Sequence, residues 1–483
     1  MVQPIPREKA IQRLRIENPW WEAGQIEGLL RVMTRRAYFN IFYELVRERS
    51  VRRAVVLMGP RRVGKTVLLH HTIQALLESG TQPKSVAYIS VDHPLYTGWS
   101  LDDLIELCTE AASCDEFEYV IFDEIQYLRD WERHLKALVD TSSKTRFIAS
   151  GSAAAALRLK SIESGAGRFT TFVLPPLTFH ESLLLGGNAD IVQPSDGDQW
   201  PVTSDIDRLN QYFLEYLNFG GYPEAVTSEV VQRDPARFIK SDIIDKVLLR
   251  DLPSLYGIHD IQELNALFTS LAYNTASEMS LERLSQSSGV AKNTIKRYIG
   301  YLEAAFLLRR VSRIDRNARR FKRQTAFKVY LTNPSIRAAL FSPVSADDPD
   351  TGNLVETAMY SQWFHGDHGT HHYARWDSGE VDMVYLAQDG APSWVAESKW
   401  SNRPLHRPRE ELSPVLKFCH QHRLGEALVT TRSEQARKTI DGIAVELVPA
   451  SVYCYTIGYN VSMGRSEDML ERLKGTAIPR PSL

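Results

Sequence analysis

The chain has 483 residues, 57 Lys and Arg against 59 Asp and Glu, a formal net charge of −2, and 43% apolar and 24% charged residues. This is ordinary globular composition, with enough chain for about three domains and several cores. Four cysteines (Cys108, Cys114, Cys419, Cys454) form neither a disulfide framework nor a CxxC zinc site. No apolar run approaches the roughly 18 residues that span a bilayer, and the N-terminal MVQPIPREKAIQRLRIENPWW lacks the apolar core of a secretion signal. A cytoplasmic, multidomain protein with no membrane partner is expected.

The first 50 residues read as helical, with apolar positions at Ile11, Leu14 and Ile16 and again at Phe39, Phe42 and Leu45. From about Val51 to Leu177 the short apolar runs AVVLM, SVAYISV, YVIFD and RFIAS alternate with helical patterns, as a parallel sheet requires. Gly186 to Asp205 reads as a surface loop, and helical periodicity returns from about Leu209 to Glu303. SPVSADDPDTGN (Ser342 to Asn353) reads as a linker before a second α/β stretch that runs to about Tyr455. The expected domains are 1–180, 206–340 and 352–456, with 457–483 as a loose tail.

GPRRVGKT (Gly59, Pro60, Arg61, Arg62, Val63, Gly64, Lys65, Thr66) follows the strand AVVLM and precedes the helix VLLHHTIQALLESG. It matches G-x-x-x-x-G-K-[ST], in which glycines let backbone N–H groups curl around phosphates. Lys65 brings a point charge to the phosphates, and the Thr66 hydroxyl serves Mg2+. In YVIFDEIQ, Asp123 and Glu124 end a buried strand. Asp123 is assigned to Mg2+ through its water shell, and Glu124 to polarising the attacking water. The next strand ends in Ser150-Gly151-Ser152; Ser150 is placed between the acids and the γ-phosphate, with a plain turn as the other reading.

GPRRVGKT, VIFDEIQYLRDWERHLKALVD, FIASGSAAAAL and GRFTTFVLPPLTFHE together resemble the prokaryotic AAA-like P-loop ATPases with a C-terminal domain of unassigned function. YLNFGGYPEAV, LLRDLPSLYGI and GNLVETAMYSQ extend the likeness to about residues 35–400. The resemblance implies ATP rather than GTP, since no N-K-x-D stands in the chain. It also implies an arginine from a neighbouring subunit or domain, for which Arg168 and Arg250 are the matching positions, and hence a homo-oligomer.

Charge is unevenly spread. Residues 280–330 hold 13 Lys and Arg against 3 Asp and Glu, a local net of +10, which leaves −12 on the rest. Here a short helix, a turn at Ser287-Ser288-Gly289 and a second helix with Val290, Ile295, Ile299 and Leu302 inward form a helix-turn-helix pattern over 280–331. Lys292, Asn293, Lys296 and Arg297 face out. A strand-turn-strand with a basic connection follows, and the order resembles a winged helix. Its wing concentrates Arg310, Arg313, Arg316, Arg319, Arg320, Lys322 and Arg323, a face suited to DNA phosphates.

Further on, GEVDMVYL and WVAESKW place Asp382, Glu397 and Lys399 on neighbouring strands, with Glu356 on an upstream helix. This arrangement resembles the PD-(D/E)xK nuclease fold. The resemblance implies Mg2+ on Asp382 and Glu397, a supporting Glu356, and Lys399 at the water or scissile phosphate. His365, His368, His371 and His372 cluster in what reads as a loop, with a metal site as one reading and a solvated loop as the other. The fold class is α/β: a P-loop NTPase with a parallel sheet, then a helical and winged-helix region, then a restriction-endonuclease-like α/β domain. An ATP-dependent DNA-processing protein is expected, its Mg-ATP hydrolysis coupled to binding of duplex or branched DNA, with cleavage or remodelling as a further step open to it. The alternative is a nucleotide-gated switch or defence protein whose nuclease-like domain is an inactive scaffold for protein contacts.

Overall fold

The computed structural model describes residues 7–152, 167–193, 200–319, 326–364, 371–387 and 389–465. The chain divides into two compact units, Met1–Leu174 and Pro175–Leu483.

The first unit is built on five parallel strands, β1 (Ala54–Met58), β2 (Val86–Ser90), β3 (Tyr119–Asp123), β4 (Arg146–Gly151) and β5 (Phe169–Val173), in the order β2-β3-β4-β1-β5. The central runs are buried along their whole length, as strands covered on both faces must be. The helix Lys65–Glu78 starts directly after β1 and its loop. The N-terminal stretch is helical as expected, at Arg7–Glu17, Trp20–Ala23, Gly28–Val32 and Phe39–Arg47. Trp20 and Trp21 both donate their indole N–H to the Val86 carbonyl, at 2.9 and 2.8 Å, which fastens these helices to the start of the edge strand β2.

In the second unit, the stretch expected to be a loop between Gly186 and Asp205 carries a small antiparallel pair, β6 (Val192–Gln193) and β7 (Val202–Thr203). Helices follow at Ile206–Phe219 and Ile261–Tyr273, with π-wound backbone at Ile239–Asp245 and Val247–Asp251. Next comes β8 (Glu278–Ser280), then a helix Leu281–Ser288 ended by Gly289 at φ 73°, a second helix Lys292–Ala304, and the antiparallel strands β9 (Leu308–Ile314) and β10 (Ala326–Leu331). β8 pairs with β10.

The helix Thr351–Trp363 leads into β11 (His371–Trp376), β12 (Gly379–Leu386), β13 (Pro392–Glu397), the helix Ser413–His422, β14 (Glu426–Thr431), β15 (Ala436–Ile440), β16 (Ile443–Pro449) and the helix Ala450–Ser462. The strands from β8 onward form one sheet of nine, in the order β15-β16-β14-β13-β12-β11-β9-β10-β8. Parallel pairing of Ser312 with His372 and of Ile314 with Ala374 joins β9 to β11. The sheet thus crosses the division expected between 340 and 352. The stretch expected as a linker is packed in place: Asn218 bonds both the N–H and the carbonyl of Val344, and the Trp400 indole donates to the Ala346 carbonyl at 2.9 Å. One face of the sheet packs a core around Trp363, Tyr373, Met383, Tyr453 and Ile457, the other a core around Val384, Val395, Phe418 and Leu447. The expected loose tail starts later than 457, because Ile457 and Val461 are fully buried on the last helix.

Candidate functional site

The loop after β1 is shaped by its glycines. A Cβ on Gly59 would stand 2.2 Å from the Leu174 carbonyl oxygen, and Gly64 opens the helix at φ 90°. Arg62 is held at φ 65°, a conformation that costs a non-glycine residue energy and recurs at ligand-binding turns. Lys65 is buried, and its ammonium donates to the carbonyls of Gly59 (3.2 Å) and Pro60 (2.9 Å), folding over the loop it serves. Arg36, also buried, donates to the Val63 carbonyl and braces the loop from outside the motif.

Parallel pairing of β3 with β2 and β4 brings the acids to the mouth of this loop. The Thr66 hydroxyl donates to Asp123 Oδ2 at 2.7 Å. The Tyr88 hydroxyl donates to the same oxygen at 2.7 Å, and Ser150 donates to Asp123 Oδ1. Ser150 Oγ in turn accepts the Glu124 backbone N–H at 3.2 Å, so it links the Asp123 carboxylate to the Glu124 backbone. Glu124 sits at φ 54°, its carboxylate held by the Gln126 amide, whose Oε1 accepts the Ser152 N–H at 3.2 Å. Burial, then the charge of Asp123, pushes the Tyr88 phenol far above its ordinary value, so it stays a donor. Asn18 fixes Tyr88 by pairing with both its N–H (2.7 Å) and its carbonyl (2.8 Å). The His70 ring lies tilted against Tyr88, centroids 4.7 Å apart, and burial lowers its pKa.

Thr66 and Asp123 present a hydroxyl and a carboxylate together at the end of the loop, a donor set that suits Mg2+ held partly through water. Tyr88, Arg36, Asn18 and Gln126 were not singled out from the sequence. Tyr88 lies in an apolar strand one place over from β3, and only the strand order brings it to Asp123.

Arg168 lies at the other end of the sheet. Its carbonyl accepts the Ala54 N–H, one strand length or about 16 Å from the loop, and its guanidinium pairs with Asp140. Arg250 is exposed on the π-wound segment of the second unit.

In the basic segment, Lys292, Asn293, Lys296 and Arg297 are exposed on the second helix, Lys292 pairing with Glu282 at 2.9 Å. Arg316 and Arg319 are exposed, Arg316 with its guanidinium 6.0 Å from the Trp376 ring centre. Arg310 is held by Glu303 through two nitrogens, at 2.7 and 3.0 Å. Arg313 donates to the Arg375 carbonyl and lies 3.7 Å from Glu278. These two are engaged inside the fold, not presented as a free basic face. Arg320, Lys322 and Arg323 lie outside the described residues.

The second carboxylate group also assembles. The register that sets Met383 opposite Ala396 places Asp382 beside Glu397, and Lys399 Nζ lies 2.8 Å from Glu397 Oε1. Asp382 Oδ2 accepts the Ser398 N–H at 2.9 Å. A residue absent from the sequence reading stands among them. Lys328, on β10, places its ammonium 2.8 Å from Glu356, 2.5 Å from Glu380 and 3.5 Å from Asp382. Tyr330 donates to the same Glu356 oxygen at 2.5 Å. Burial, then the charge of Asp382, raises the Glu356 carboxyl to about 7. Burial and Asp382 also raise Glu397. Burial opposes the charge on Lys328, but the surrounding carboxylates outweigh it and hold its pKa well above the ordinary value.

Lys399 lies beside Glu397 as expected, while Lys328 adds a second ammonium among the carboxylates expected to serve Mg2+. No group of three or more His, Cys, Asp or Glu among the described residues is set to hold a metal ion. Of the histidines, His371 and His372 are buried on β11, His371 against Trp363 and Tyr385, so neither is part of a solvated loop. His365 and His368 lie outside the described residues. Among the described residues no helix is long and apolar enough to cross a membrane.

Comparison with known proteins fits this geometry. Residues 51–183 match the AAA domain family model, and residues 210–348 match a domain of unknown function, DUF8612. The stretch that matches the AAA domain model is the one that carries the P-loop and the five-stranded parallel sheet of the first unit. An uncharacterized protein of Haemophilus influenzae is 25% identical over 359 residues, covering 72% of this chain and 84% of its own length. One from Methanocaldococcus jannaschii is 25% identical over 260 residues, covering 52% of this chain and 55% of its own. Among solved structures, the Aeropyrum pernix ORC1 protein in complex with DNA shares 13% identity over 66% of this chain and 93% of that one, with a TM-score of 0.30. AMPPCP-bound DnaA from Aquifex aeolicus shares 16% over 57% and 90%, with a TM-score of 0.23. Likenesses of that size carry no argument about this chain's activity.

Proposed function

We propose that this protein hydrolyses ATP and couples the hydrolysis to engagement of DNA. The observation that carries the ATPase reading is the convergence of Thr66, Tyr88 and Ser150 on Asp123, beside Glu124, at the mouth of a glycine loop. Bound with the nucleotide, Mg2+ would neutralise charge on the phosphates, with Thr66 and Asp123 as the residues to hold it. The loop N–H groups bind the phosphate oxygens, and Lys65 leaves its carbonyl partners to meet them. Glu124, its carboxylate held by the Gln126 amide, accepts a proton from the attacking water. An arginine from a second protomer, Arg168 or Arg250, completes the site in an oligomer.

The DNA reading rests on the exposed Lys296 and Arg297 and on the local excess of +10. The helix, turn, helix and strand pair act as a winged helix, the second helix meeting a duplex. The C-terminal carboxylates hold lysines, which favours a nuclease-like scaffold that grips its partner without cutting it.

The test is ATP turnover of the full chain with and without single-stranded, duplex and four-way DNA, with the DNA run on a gel afterwards. DNA-stimulated turnover that Lys65→Ala and Glu124→Gln abolish supports the reading. Turnover unchanged in both variants overturns the ATPase assignment, and a rate indifferent to every DNA overturns the coupling.

A further inference from the structure

The strand Ala326–Leu331 reads AFKVYL, and its lysine lies among buried apolar neighbours. Lys328 is 3% exposed, and a lysine is almost never buried so deeply without partners. Its partners are carboxylate oxygens of Glu356, Glu380 and Asp382, from the helix Thr351–Trp363 and from β12. An ammonium has three N–H donors, and three carboxylate oxygens lie within 3.5 Å of this one. Arg375 lies 3.3 Å from the other Glu380 oxygen, and Lys399 neutralises Glu397. Positive charge is thus supplied to these carboxylates from within the fold.

A divalent ion bridging Glu356 and Asp382 would need oxygens at about 2.0–2.6 Å. Between Glu356 Oε1 and Asp382 Oδ1 that place is taken by the Lys328 ammonium, which lies 2.8 Å from the first and 3.5 Å from the second. We propose that Lys328 is the resident cation of this site. It takes the place of a divalent ion, so Glu356, Glu380 and Asp382 bind no metal while it is present and form a metal site once it is removed. The carboxylates then act as a clasp. They pin β10, the last strand of the helix-turn-helix segment, to β12 and to the helix that bears Glu356. The proposal is independent of the ATPase reading.

The experiment titrates nucleotide-free full chain with Mn2+ and follows the free-ion signal by electron paramagnetic resonance. Four proteins are compared: the parent, Asp382→Asn, Lys328→Met and Lys328→Met with Asp382→Asn. Working at the level of each difference removes any Mn2+ held at the P-loop. The parent and Asp382→Asn are expected to bind the same number of ions. Lys328→Met is expected to bind one more per chain, lost again in the double variant. One Asp382-dependent ion in the parent overturns the proposal, as does a folded Lys328→Met that gains none. Should Lys328→Met fail to fold, Lys328→Gln takes its place, and the parent against Asp382→Asn still decides.

Discussion

Tyr88 reaches across from the edge strand of the first sheet and donates its hydroxyl proton to Asp123 at 2.7 Å, on the same oxygen that accepts from Thr66. That oxygen is therefore fixed from two sides before any nucleotide arrives. Tyr88→Phe removes one donor and keeps the ring that packs on His70. A hydrogen bond to a charged group contributes roughly 1.5–3 kcal/mol. The melting temperature is expected to fall by the few degrees such a loss implies, and ATP turnover by about tenfold or more. Turnover at the parent's rate would show that Asp123 needs no such restraint.

Gly59→Ala tests the loop from the backbone side. Its new methyl would meet the Leu174 carbonyl oxygen at 2.2 Å, and a backbone oxygen cannot swing aside as a side chain can. The loop must shift, at a cost of about 1–3 kcal/mol. Nucleotide affinity, measured by calorimetry, is expected to drop while the far-ultraviolet circular dichroism stays that of the parent.

The exposed and engaged arginines separate by assay. Lys296→Ala and Arg297→Ala are each expected to weaken DNA binding and to reduce the slope of log affinity against log salt by about 1. Arg310→Ala breaks a two-pronged pair with Glu303 and is expected to lower the melting temperature with little change in that slope. Salt-dependent fluorescence anisotropy and a melt on the same samples distinguish the two effects.

Glu356 gives the second unit a pH signature. Its carboxyl is raised from 4.5 to about 7, so the folded chain keeps a proton that the unfolded chain has already released. Where the native state binds more protons, stability falls as pH rises. This contribution is complete below about pH 4.5 and lost on passing upward through 7. Between pH 5 and about 8 the parent's melting temperature is expected to decline more steeply than that of Glu356→Gln, which carries no titrating proton. Parallel declines would remove Glu356 from the account.

The P-loop was legible because its chemistry is local: the glycines, Lys65 and Thr66 sit within eight residues, and the strand and helix on either side have their own patterns. Asp123 and Glu124 were legible as the end of an apolar run. Tyr88 and Asn18 were not, because their roles come from strand order and from an edge covered by a distant helix. The Asp382 and Glu397 pair followed from two-residue alternation on neighbouring strands. In the sequence Lys328 reads as one more positive charge in a basic stretch. A lone lysine inside AFKVYL was the available signal, since an apolar strand buries such a residue only when carboxylates await it. The polar, proline-bearing stretch just past residue 340 reads as a division between domains. Composition alone does not reveal that Asn218 and Trp400 hold that stretch in place.

The pairing of β9 with β11 bears on how this protein can be taken apart. Severing the chain between 340 and 352 would strip each strand of its neighbour and leave two open rows of backbone N–H and C=O groups. Such edges recruit other strands, and both fragments would be aggregation-prone instead of independently soluble. Fragment studies of the helix-turn-helix segment therefore need the strands through β16 to travel with it.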